Sequence, residues 1–372
     1  MTRARPWSNT FSATGSVWSE IWPQLLAAGE FGSGSAIFEE QLNLLEKAGV
    51  FTALVPEEYG GFEMEGPAAL AVIEDLAYIN GTLGWTACVG VAGGLFSFEL
   101  PPAGAHEIWS DSNPLISYAG ANSGTLTPSG DGFTLSGSWD MASGVTHASW
   151  VALGCTVEGG HPAATAVALV HRSECRLGPP WVPVGLAGAS TAPVSIDAVP
   201  VPRQRITFDV TDEQNSHTRR RYRFLIPSAM GAVSLGIGFA CLDSLASRQV
   251  RPDAEQMKHQ LLGHSYAQLL AARSFLHEAT ADVWRRASRG QASELEPNAR
   301  QRLAATHAAH VANQVADAAS RLGGMAAITQ GTSTSERWLE ARTITANITV
   351  GDLYYRVYGG VAADGRAPLS WP

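Results

Sequence analysis

The chain has 372 residues, more than one compact core usually takes, so two or three domains are expected. Hydrophobic residues make up 45% and charged residues 16%, which excludes a disordered chain. The formal net charge of -9 speaks against a nucleic-acid partner held through phosphates.

From about residue 15 to 110 the texture is helical. Phe38 to Ala48 and Ala68 to Tyr78 carry apolar residues at helical spacing. Between them lies a turn-rich break, Val55-Pro56-Glu57-Glu58-Tyr59-Gly60-Gly61. Leu83 to Leu100 is apolar and glycine-rich, and Pro101-Pro102 ends it. From about 115 to 210 short apolar runs alternate with Gly, Ser, Asp and Pro. Gly132 to Trp139 alternates with period two, while Trp150 to Cys155, Ala164 to Val170 and Ser195 to Val201 have strand length. That rhythm predicts a small antiparallel barrel or sandwich. After about 222 the chain is helical again. Ala229 to Ala246, Ala254 to Ser288 and Pro297 to Leu322 are long periodic stretches, and a shorter helix is predicted from Ser335 to Tyr358. Four helices with short connections make a bundle.

The four cysteines, Cys88, Cys155, Cys175 and Cys241, form no Cys-x-x-Cys pair. No metal site is expected from them, and their spacing suits buried thiols in a reducing, cytoplasmic compartment. Residues 1–20 are polar, without the apolar run of a signal peptide, and no stretch approaches the ~20 apolar residues of a membrane span. The basic run Arg219-Arg220-Arg221-Tyr222-Arg223 reads as a solvated helix start, with a phosphate contact as the alternative.

The order helices, strands, helices resembles the acyl-CoA dehydrogenase superfamily. Val55 to Gly61 looks like that family's first turn, Trp181 to Pro202 like the closing stretch of its β-domain, and Leu322-Gly323-Gly324 like its late Gly-Gly turn. The resemblance implies an α+β fold with a helical N-terminal domain (1–114), a central antiparallel β-barrel domain (115–212) and a C-terminal four-helix bundle (213–372). It also implies flavin held between the last two. Leu83-Gly84-Trp85, Leu135 to Trp139, Ala142-Ser143-Gly144 and His147 to Trp150 are similar to the two-component flavin-dependent monooxygenases. Members of that branch take reduced FAD or FMN from a separate reductase and react it with O2.

An oxygenating flavin needs a dry cavity and hydrogen bonds at its reactive edge, where a C4a-hydroperoxide must survive until it meets the substrate. Ala142-Ser143-Gly144 suits this. Small residues let the backbone approach the ring, and the Ser143 hydroxyl can donate. Trp139, Met141, Ala142, Ser143 and Gly144 are therefore the expected flavin contacts, with Ser143 as the catalytic candidate. His147 is read as a structural histidine. Gly323 and Gly324 read as a helix end beside the cofactor's phosphates or a neighbouring subunit, or as a plain helix C-cap. The resemblance implies an ADP or phosphate contact there, shared across the interface of a homotetramer or homodimer.

Two departures narrow the chemistry. The dehydrogenases take an α-proton with a late glutamate, and the matching positions here are Gln330 or Ile348-Thr349-Val350, none of them a carboxylate. Many hydroxylases carry histidines where this chain has Val91-Ala92-Gly93-Gly94 and Asn347. A phenol that needs a base is thereby disfavoured, and a substrate already nucleophilic is expected: an amine, a sulfur or an electron-rich aromatic. Trp85, Asn122 and Asn347 are the substrate candidates, against plain structural roles as core, loop and helix-surface residues. The expected function is a reduced-flavin-dependent monooxygenase in a biosynthetic pathway. The alternatives are an acyl-CoA or acyl-carrier dehydrogenase with a displaced base, or a non-redox binding protein on the same fold.

Overall fold

A computed structural model describes residues 21, 23–25, 35–110, 112–160, 165–208, 225–291 and 294–367. The polar segment 1–20 and the basic run at 219–223 lie outside the described residues. Helices α1 (Ser35–Lys47), α2 (Gly66–Ile79), α3 (Gly81–Gly93) and α4 (Pro102–Trp109) come first. The sharp α2–α3 junction is set by Asn80, whose side chain accepts from the backbone N–H groups of Thr82 and Leu83. Asparagine is a strong N-cap because its carbonyl satisfies donors that a helix start otherwise leaves unpaired.

Seven strands follow: β1 (Ile116–Ser129), β2 (Gly132–Ala142), β3 (Trp150–Val157), β4 (Thr165–His171), β5 (Arg176–Leu177), β6 (Ala192–Val201) and β7 (Ile206–Phe208). Their order in one sheet is β5-β6-β2-β1-β3-β4-β7. This corrects the expected antiparallel barrel in two ways. The sheet is open, with β5 and β7 at its edges, and it is mixed, because β1 and β3 run parallel. The cause lies in the connections. A tight hairpin sets β2 antiparallel beside β1. The chain then crosses from β2 to the far side of β1, so β3 lands parallel to it. Period-two alternation reports which face is buried, and it is the same for open and closed sheets.

The second helical region holds α5 (Leu225–Ser247), α6 (Glu255–Ser288), α7 (Leu295–Gly323), the short α8 (Met325–Ile328), α9 (Ser333–Thr345) and α10 (Leu353–Asp364). The single helix predicted over 335–358 is in fact two. The β-branched run Thr343-Ile344-Thr345, then Ile348-Thr349-Val350, weakens the helix there. Asn347 turns its side chain back to accept from Thr349 N at 2.9 Å, which caps a 3-10 turn instead.

One apolar core joins both helical regions. Leu70, Ile73 and Leu76 of α2 pack with Leu235 and Phe239 of α5, Leu269 of α6 and Ala308 of α7. The sheet has its own core around Leu126, Leu135, Trp139, Val151 and Val194. A third cluster seats Ile108 and Trp109 of α4 on Ile116, Trp150 and Leu169 of the sheet. Gly81–Phe98 and Leu225–Ser247 are long and apolar enough to cross a membrane, contrary to the sequence reading, and both are mostly buried against the rest of the chain. Hydrophobic on all sides is also the signature of a core helix.

Candidate active site

The chain leaves β2 at Ser143-Gly144, and three elements hold that turn. Ser143 bridges to Tyr118 of β1, and its carbonyl accepts from Ser117 Oγ at 2.7 Å. Gly144 has φ 76, a left-handed conformation that glycine adopts without strain. Its N–H donates to Ala189 O at 2.8 Å, while its carbonyl accepts from His147 N and Ala148 N, both at 3.0 Å.

The Ser143 hydroxyl accepts from Thr191 Oγ1 at 3.1 Å. Its own hydrogen is therefore directed elsewhere, as a donor at the edge of the turn. Beside it, Ser190 Oγ donates to Gly188 O at 3.2 Å and lies 2.9 Å from His147 Nε2. With the serine hydrogen on Gly188 O, Nε2 is the donor of this pair. Burial lowers the His147 pKa, outweighing the nearby Glu39 carboxylate. The ring is a neutral brace between the turn and the 186–191 segment.

That segment does not stand out as a site in the sequence. Leu186 and Ser190 flank the 3-10 turn Ala187–Ala189 with φ of 60 and 50, a left-handed backbone that costs non-glycine residues on the order of 1–3 kcal/mol each. Such strain persists only where the surroundings impose it. The available signal was composition: Gly185-Leu186-Ala187-Gly188-Ala189-Ser190-Thr191 is as small and hydroxyl-tipped as Ala142-Ser143-Gly144.

The remaining candidates divide. Trp139 is 1% exposed, and its Nε1 donates to Ala121 O and Gly154 O at 3.0 and 2.9 Å, so its ring is fastened inside the sheet. Ala142 is buried, pairing with Ala192 of β6, and Met141 is 48% exposed at the strand end. Asn122 is exposed in the β1 register shift beside Gly154, several residues along the strand from the Ser143 bridge. Trp85 is half-buried on α3 against the helical core. Asn347 spends its side-chain carbonyl on the cap described above. Gln330 is exposed and Ile348 is 78% exposed.

Two cavities adjoin these elements. The first, with room for about one water molecule, lies between α2, α3 and the start of α5, lined by Leu70, Ile73, Cys88, Val91, Ala92 and Ile226 among others, with no charged side chain. It is on α3, whose Val89 faces Gly144. The second, equally small, lies between α5, α7 and α9 and is lined by Ser244, Arg248, Gly323, Thr334 and Arg337. Its two guanidinium groups suit phosphate oxygens. Gly324, just past α7, adopts φ 58 and ψ -143. Small hydroxyl-bearing residues at the turn are chemically suited to a flavin ring edge, and the paired arginines to a phosphate.

Residues 228–350 match the family described as "Acyl-CoA dehydrogenase, C-terminal domain". Indole-3-acetate monooxygenase of Pseudomonas putida is 29% identical over 359 residues, covering 92% of this chain and 90% of the relative. The chain is similar to the acyl-CoA dehydrogenases over 228–350, and its fold is acyl-CoA dehydrogenase-like. Another relative, the oxygenase subunit HsaA of a flavin-dependent monooxygenase from Rhodococcus jostii (strain RHA1), is 25% identical over 69% of this chain and 70% of its own length. XiaF from Streptomyces sp., solved with FADH2 and glycerol, has a similar fold. XiaF superposes with a TM-score of 0.81 at 18% identity over 97% of this chain and 96% of its own.

Proposed function

We propose that this chain is a reduced-flavin-dependent monooxygenase, the oxygenase component of a two-component system supplied by a separate reductase. It transfers one oxygen atom from O2 to a small, electron-rich aromatic or sulfur-containing substrate. The observation that carries this reading is the Ser143–Thr191 hydroxyl pair at the mouth of the turn. None of the hydrogen-bond partners of Ser143 and Gly144 described above is a carboxylate. A dehydrogenase needs a carboxylate aimed at the substrate's α-carbon. An oxygenase needs donors that do not take protons away. Bound reduced flavin supplies the activated oxygen. The protein's part is to aim the Ser143 hydrogen at the reactive edge, keep His147 neutral and keep water out.

The apolar lining on α3 supports a substrate whose ring is uncharged, since a buried ion there would have no partner. Trp85 borders the same helix face. Arg248 and Arg337, beside Gly323, would contact flavin phosphate, and we place that contact across a homodimer or homotetramer interface, beside the exposed Met325, Ile328 and Ile348. The four cysteines are free and buried, which suits a cytoplasmic enzyme.

Mixing the reduced-flavin-loaded protein with O2 tests the reading. A lag before oxidised-flavin absorbance returns, with product formed, is expected. Immediate reoxidation without product overturns it, and anaerobic flavin reduction by an acyl thioester would favour the dehydrogenase. Ser143→Ala should cut product per O2 consumed by roughly tenfold or more.

A further inference from the structure

A buried carboxyl sits one element away from the turn. Glu340 of α9 is 7% exposed. Its Oε1 accepts from Thr82 Oγ1 at 3.4 Å, and the Gly81 N–H donates to the same carboxyl. The start of α3 is thereby fully accounted for. Gly81 N–H goes to Glu340, Thr82 and Leu83 N–H to the Asn80 side chain, and Gly84 N–H to Asn80 O. A carboxyl oxygen there meets backbone N–H groups that a helix start otherwise leaves unpaired. The approach depends on glycine, since a Cβ on Gly81 would stand 2.4 Å from Glu340 Oε2.

The contact continues toward the active site. Gly185 lies against the Leu339–Glu340 peptide, where a Cβ would be 2.3 Å from Leu339 O and 2.6 Å from Glu340 N. Gly188 lies against the Thr82 methyl in the same close way, at 2.8 Å. The 185–191 segment is thus wedged between α9 and the start of α3. Its far end supplies Ala189 O to Gly144, Ser190 to His147 and Thr191 to Ser143. Two left-handed residues hold the segment in this shape.

We infer that Glu340 is a positioning residue for the oxygen-transfer site: by docking the start of α3 against α9 it sets the 185–191 segment, and through it the Ser143–Thr191 hydroxyl pair. The role rests on the oxygenase reading of that turn, whereas the mechanical link does not.

Amide hydrogen exchange on the flavin-free protein reads the link directly. In Glu340→Gln, a near-isosteric change, peptides covering 185–191 and 143–148 should exchange roughly tenfold faster, while 151–155 in the centre of the sheet stay at the wild-type rate. In turnover, product per O2 should fall about tenfold with the substrate KM changed less than roughly twofold, the split expected when alignment rather than binding is lost. Glu340→Asp keeps the carboxyl group at shorter reach and should recover part of both losses. It also serves if the glutamine variant does not fold. An active wild type whose Glu340→Gln variant exchanges normally at 185–191 overturns the inference alone. A wild type that oxygenates nothing, with the two segments loosened in the variant, overturns the oxygenase reading and with it the role, and leaves the link standing.

Discussion

Replacing Gly185 by alanine would drive a methyl group into the backbone of α9. The new Cβ would stand 2.3 Å from Leu339 O and 2.4 Å from its carbonyl carbon, about 1 Å short of ordinary contact. The obstacle is a helix carbonyl, which cannot swing aside as a side-chain tip can. The 185–191 segment must move instead, and it carries the partners of Ser143, Gly144 and His147. Overpacking of this kind costs about 1–3 kcal/mol of stability. A misplacement of about 1 Å at a reacting centre costs on the order of 100-fold in rate. Gly185→Ala should therefore lose far more turnover than stability. The assay is product formation with reduced flavin, beside a urea unfolding curve. Turnover within about threefold of wild type in the folded variant would refute the wedge, because the loss predicted is some thirty times larger.

Gly263 gives the opposite case. It lies mid-helix in α6, exposed, with nothing within 4 Å of an added methyl and no positive φ, so Gly263→Ala should stabilise by roughly 0.8–1 kcal/mol in urea unfolding with unchanged turnover. Burial pushes the Glu340 carboxyl up to about 7. Between its ordinary value of 4.5 and 7 the folded chain keeps a proton the unfolded chain has lost, so this group's contribution to stability falls as pH rises, by about 3 kcal/mol at the upper end. Unfolding curves from pH 5 to 8 should show the wild type losing ground to Glu340→Gln, and parallel curves would contradict the assignment. Glu74 of α2 accepts from Arg273 Nε at 2.6 Å and pairs with His277 Nε2 at 2.7 Å on α6. Its pKa is lowered although burial alone would raise it, because His277 and Arg273 outweigh that burial. Glu74→Gln should cost about 3 kcal/mol near neutral pH, the low end for a broken buried pair since Arg273 and His277 are both partly exposed. The difference from wild type should shrink as pH falls below 4.5, where the carboxylate contribution is lost.

Much of this is legible in the sequence. Apolar spacing locates α2, α6 and α7, and period-two alternation locates β2, because each depends on local burial. Ser-Gly alone is an ordinary turn between strands, and Ser143 and Gly144 stand out only through their setting between Trp139 and Trp150 and the wider resemblance. What stays hidden is set by distant contacts. The parallel β1–β3 pairing follows from a crossover that leaves no local pattern. The break at Asn347 comes from a side chain that can cap or extend a helix equally well in sequence. Thr191 lies 48 residues from Ser143, and Glu340 lies 258 residues from Thr82. No spacing rule relates either pair.

The core that α2 and α3 share with α5, α6 and α7 constrains how the chain can be made. On the ribosome α2 and α3 emerge with their apolar faces bare, and the helix that covers them begins only at Leu225, after the whole sheet has been synthesised. Contacts of such long sequence separation form slowly and leave sticky surface waiting. Yield in a cell should therefore depend on what shelters residues 66–93 during that interval, and a fragment ending before Leu225 should aggregate, however well its sheet folds.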